Sequence, residues 1–166
     1  MTVFVAAIGA TVSAIFELTV GPYLRVGDAQ PHLVLVFATI WTVAVGLESG
    51  LAGAFVGGVV LDVLAQRPLG ASSFALVLCV GLAATISRLF LRVRPLVVAP
   101  LVAIVSLVYS MMLFVLLGAL GSGVAARDPL SILTPGVVYD TVVAVLIGPL
   151  AVAVHDRRVD EERPAF

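Results

Sequence analysis

Lysine is absent from this chain, and all nine basic residues are arginine. Set against ten acids they leave a net charge of -1, which argues against a nucleic-acid partner. The one cysteine, Cys79, excludes an internal disulfide and reads as a core residue. With only two histidines the chain offers no Cys/His metal cluster, and neither metal nor cofactor is expected. Charge of either sign is scarce, at 11% of residues where a soluble domain carries about 25%. No His, Ser or Cys stands beside an acid in a nucleophile or metal-ligand pattern, so catalysis is not expected.

What fills the space is apolar. Hydrophobic residues make up 61% of the 166, and mean hydropathy is +1.22, which marks an integral, all-α membrane protein. That length holds about six spans of ~20 residues with short connections and no separate soluble domain. The expected division is a transmembrane domain over 1–154 and a short charged tail over 155–166. Met1 to Leu18 has neither a basic leading segment nor a small-residue cleavage site, and reads as a retained span.

The spans are predicted at Thr2 to Val20, Pro31 to Gly46, Ser49 to Ala65, Gly70 to Phe90, Leu96 to Leu120 and Gly136 to Val154. Gly21-Pro22 punctuates the end of the first. Pro31 suits the first turn of the second, because the N–H it lacks would be unpaired there. Gly70 opens the fourth after the Gln66-Arg67-Pro68 turn. Gly148-Pro149 predicts a kink in the sixth, and His155 to Phe166 is expected to be disordered. On the fifth span Ser106, Tyr109 and Ser110 give a slightly polar side.

The third span is the centre of the pattern. Gly50, Gly53, Gly57 and Gly58 share a broad helical face with Ala54 and Leu61. In lipid, helices are held by close packing across small residues, so this face is expected to be a contact surface, for a neighbouring helix or for a partner. Asp62 lies one turn beyond Gly58 at its edge. An ionisable group at such depth points into protein or a wet cavity.

Arginines set the orientation. With six spans, Arg88, Arg92, Arg94, Arg157, Arg158 and Arg163 fall on the side of the termini, and Arg25, Arg67 and Arg127 on the other. The positive-inside rule then places both termini in the cytoplasm. Glu17 comes roughly 20 Å along an outward-running helix. Asp62 reaches a similar depth, and Asp140 is about one turn into an inward-running helix. The three acids are expected in the outer third of the membrane. They either shape one outer polar cavity or pair separately, with Arg25, Arg67 and Arg127 as available cations.

The segments Gly21-Pro22-Tyr23, Pro31-His32-Leu33-Val34-Leu35, Ala54-Phe55-Val56-Gly57-Gly58-Val59-Val60-Leu61-Asp62 and Leu69-Gly70 resemble the MreD family of bacterial rod shape-determining membrane proteins. His32 stands where the family pattern has Asp, and Ala54 where it has Gly. The resemblance implies a non-enzymatic component of the cell-wall elongation machinery in the bacterial cytoplasmic membrane. Its implied partners are a single-span protein like MreC, the MreB filament, RodA and a class B transpeptidase. The implied fold is similar to the six-helix substrate-binding subunits of energy-coupling-factor vitamin transporters.

A transporter subunit of that kind is the second reading. Such subunits dock through small residues on the first span, and Ala6, Ala10 and Ala14 recur here every fourth residue. Against it, Tyr23 is the one aromatic in the outer connections, whereas a vitamin pocket needs aromatic walls. An ion carrier using Glu17, Asp62 and Asp140 ranks last, since a path needs acids at several depths.

Overall fold

The computed structural model describes residues 1–24, 30–89, 94–120 and 129–161, with backbone alone for 94–97, 129–133, 150 and 152–161. Six α-helices account for most of them: α1 Thr2–Thr19, α2 Leu33–Ala44, α3 Leu47–Leu64, α4 Ala71–Leu89, α5 Arg94–Ala119 and α6 Pro129–Glu161. A 3-10 turn, Gly21–Leu24, follows α1, and Gly21-Pro22 falls at the break. Arg25, Arg92, Arg127 and Arg163, which bear on orientation and pairing, lie outside the described residues.

Among the described residues four stretches are long and apolar enough to cross a membrane: Thr2–Thr19, Leu47–Leu64, Ala71–Leu89 and Val98–Ala119. Leu33–Ala44 and Thr134–Pro149 are apolar but shorter. The 12 residues of α2 rise only about 18 Å, well under a hydrocarbon core of ~30 Å. Pro31 stands outside this helix rather than in its first turn: His32 is the N-cap and Leu33 the first helical residue. At the other end Gly46, with φ +133°, makes the tight turn into α3, two residues ahead of the expected start at Ser49. The sixth helix is longer than its apolar core at both ends. It starts at Pro129, a residue suited to a first turn, and continues through Gly148-Pro149 to Glu161, into the tail expected to be disordered.

α2 is the hub. It packs against each of the other five helices, while α1, α3, α4, α5 and α6 pack in that order around it. α1 and α6 make no comparable contact, so the ring is open between them. α1 and α3 run parallel, with Ala6 against Gly53 and Ala10 against Gly57. α2 runs against both, with Thr42 at Gly50 and Val34 at Gly57. One end of the bundle, the near end, thus holds Thr2 and the α2–α3 turn. The far end holds the start of α2 and the α3–α4 turn.

The core is built of small and branched residues, among them Ala6, Ala10, Ala14, Val34, Leu35, Ala54, Leu76 and Val105, with Tyr109 the largest side chain buried. Large apolar side chains such as Phe4, Ile8, Phe55, Phe74, Val115 and Leu146 point outward. In water this distribution would be unfavourable. In acyl chains it is the stable one, because apolar side chains are at home in lipid and the helices are held by packing.

Candidate functional site

The short hub helix creates a problem that the acids solve. The first N–H groups of a helix have no partner within it, and inside a bundle no water supplies one. At the start of α2 the His32 side chain makes no cap of its own to the helix. Instead Glu17 of α1 accepts a hydrogen bond from the Val34 N–H at 2.9 Å. Asp140 of α6 accepts one from the His32 N–H through Oδ1 at 2.7 Å. Its Oδ2 takes the Ser106 hydroxyl of α5 and lies 2.9 Å from the His32 Nδ1. Negative charge here also faces the positive end of the α2 dipole. Two helices that scarcely touch, α1 and α6, are thereby fastened to the same end of a third.

Asp62 does the same for α4. From the last turn of α3 its Oδ2 accepts from Gly70 N–H at 2.8 Å, and its Oδ1 from Ser72 N–H at 3.0 Å. Gly70 has φ +96°, a conformation open to glycine, and this aims its N–H at the carboxylate. Tyr109 of α5 joins the two caps. Its ring meets the His32 ring edge-on, with centroids 5.3 Å apart and planes at 79°. Its phenol lies beside the Ser72 hydroxyl, though outside hydrogen-bond geometry. The Ser72, Thr39 and Ser110 hydroxyls are buried without a hydrogen-bond partner.

The three acids therefore form a polar seam at the far end of the bundle. It is a sealed seam rather than an open cavity, since Glu17 is 7% exposed and Asp62 and Asp140 are 0% exposed. Arginine is not their direct partner among the described residues. Arg67, in the α3–α4 turn, lies within electrostatic reach of Glu17, His32 and Tyr109 but forms no ion pair with an acid there. His32, Ser106 and Tyr109 complete the seam and were not singled out as site residues from sequence. The i, i+3, i+4 spacing of Ser106, Tyr109 and Ser110 was the available signal.

The glycine face is occupied within the chain. A Cβ on Gly53 would stand 3.3 Å from the Ala6 carbonyl oxygen, and one on Gly57 would be 2.6 Å from Val34 Cγ1. On Gly58 it would be 2.6 Å from the Ser73 backbone nitrogen, and on Gly50 2.9 Å from Thr42 Cβ. So Gly50, Gly53, Gly57 and Gly58, with the buried Ala54, receive α1, α2 and α4 rather than another protein. The alanine stripe has the same fate. Ala6, Ala10 and Ala14 are 0% exposed, with Ala6 and Ala10 against α3, so they are not free for docking as the transporter reading requires.

The gap in the ring is open. Between α1 and α6 lies an apolar groove of about 390 Å³. α2 floors it with Leu33, Val36, Phe37 and Trp41, and Val12 and Ile147 stand on its two walls. Phe37 fits there because Gly9 leaves room for its ring.

A protein-family model described as rod shape-determining protein MreD matches residues 1–154. No curated protein and no solved structure matches the chain.

Proposed function

The chain belongs to the MreD family of rod shape-determining proteins and is a multi-pass membrane protein, and we propose that its work is non-enzymatic scaffolding of cell-wall elongation. In this reading it sits in the bacterial cytoplasmic membrane with both termini in the cytoplasm. All six helices traverse the bilayer. The arrangement is similar to the substrate-binding subunits of energy-coupling-factor transporters. It holds a single-span protein like MreC, and through it acts alongside MreB, RodA and a class B transpeptidase to organise peptidoglycan synthesis.

The observation that carries the reading is the open ring. With the glycine face of α3 and the alanine stripe of α1 filled by the chain's own helices, the α1–α6 gap offers an apolar groove in which a further helix can bury side chains. The polar seam serves it indirectly, by fixing the α2 floor and both walls in register.

The test is recovery of the single-span partner with the tagged protein from mild detergent. Ser13→Trp fills the groove, while Val115→Trp, on the exposed side of α5, is the control. Partner recovery is expected to fall roughly tenfold or more for Ser13→Trp, equivalent to about 1.4 kcal/mol, and to stay unchanged for Val115→Trp. Equal recovery with both variants would remove the groove as the seat. No recovery with the unaltered chain would remove the scaffold reading itself.

A further inference from the structure

The seam holds an imidazole, His32, and it stands at the hinge of the groove. His32 precedes α2, its side chain 25% exposed, whereas Asp140, its partner, is 0% exposed. Imidazole is the side chain that ordinarily gains or loses charge between about pH 5 and 8.

The groups around the ring decide which state the closed geometry favours. From α6, Asp140 contacts it at 2.9 Å. From α1, Glu17 lies within electrostatic reach, as does Arg67 from the α3–α4 turn. From α5, Tyr109 presents its ring and Ser106 donates to the shared Asp140 oxygen. Asp62 of α3 is one step further, within reach of Tyr109. With the imidazole protonated, its positive charge lies against the buried Asp140 carboxylate. With it neutral, that attraction, which is strong in a low-dielectric site, is lost.

We propose that the His32–Asp140 pair is a proton-operated clasp on the far end of α2. Protonated, it ties the first turn of α2 to α5 and α6. Neutral, it loosens that turn, and with it Leu33 and Val36, which line the groove between α1 and α6. The mechanical reason is that this end of α2 is held from outside the helix by two carboxylate caps, one of which also carries the ring contact. The clasp does not depend on what occupies the groove. It is a property of the chain alone.

The experiment uses the full chain in lipid nanodiscs, without partner. The two histidines are labelled with nitrogen-15 and assigned by His155→Gln. Ring shifts and amide exchange over residues 30–36, corrected for intrinsic rate, are followed from about pH 5 to about pH 9. The His32 ring should lose its proton within this range, and amide protection at His32 and Val34 should fall as it does. His32→Gln should show low protection with no step in this range. A ring neutral throughout would overturn the clasp, as would a titration that leaves amide protection unchanged. The titration of the unaltered chain decides the matter even where His32→Gln does not fold.

Discussion

Asp140 and His32 are 108 residues apart in sequence and hold each other twice, the carboxylate taking the His32 backbone N–H at 2.7 Å and lying 2.9 Å from its ring nitrogen. Removing this carboxylate leaves the part-buried His32 N–H and the buried Ser106 hydroxyl without this acceptor. Each orphaned group costs about 1–3 kcal/mol. Asp140→Ala should therefore lower the thermal midpoint in detergent substantially, and Asp140→Asn, which keeps an acceptor for the backbone, should lower it less. Equal midpoints for both variants and the unaltered chain would show that the cap carries no stability.

Asp62 is the parallel case at the start of α4. Losing an N-cap acceptor costs about 0.5–2 kcal/mol in helices generally. Here two N–H groups are involved, so Asp62→Ala should fall at or above the upper end of that range. Gly70→Ala should be destabilising as well, because its φ of +96° strains any residue with a Cβ. In the double variant the two losses should be less than additive, since both break the same cap. A double-mutant cycle of unfolding midpoints reads this directly.

The glycines separate into filled and empty positions. Gly58→Ala would put a methyl against the Ser73 backbone, which cannot rotate away, and overpacking of this kind costs typically about 1–3 kcal/mol. Gly57→Ala meets the Val34 side chain, which can turn, and should cost less. Gly81 of α4 has nothing within 4 Å of the Cβ position. Gly81→Ala should raise stability by about 0.4–1 kcal/mol. Folded yield and thermal midpoint in detergent give the order, and a reversed order would contradict the packing described.

These contrasts show what could be read from one dimension. The helical class, the packing role of the third-span glycines and the singularity of the three acids all follow from local spacing and composition. The acids' partners do not. Charge is visible in sequence and suggests arginine as the partner of a carboxylate on α1 or α6, whereas the N–H groups of Val34 and His32 lack a helical partner only because α2 starts late and short. The start itself was misplaced because Pro31 is acceptable in a first turn. The buried caps supplied by Glu17 and Asp140 allow the helix to begin two residues later. The α1–α6 gap is a property of how helices are ordered around α2, and no stretch of sequence encodes it locally.

Orientation offers a separate check. With both termini in the cytoplasm, as proposed from the arginine distribution, a reporter fused after Phe166 should be active only when it is one that works in the cytoplasm. Activity of a periplasmic reporter at that position would invert the bundle and put the seam on the cytoplasmic side.

The central claim is that a single-span partner of this MreD-family protein seats its helix in the groove between α1 and α6. Disulfide crosslinking in native membranes tests it most directly. In a Cys79→Ala background, a cysteine at Ile147 on the groove wall is paired with cysteines placed one by one along the MreC-like span. A cysteine at Leu107, on the exposed side of α5, is the reference. The account predicts crosslinks from position 147 that recur along the partner with a period of three to four residues, as a helix packed on one face requires, and none above background from position 107. Crosslinks from position 107 with none from position 147 would contradict it.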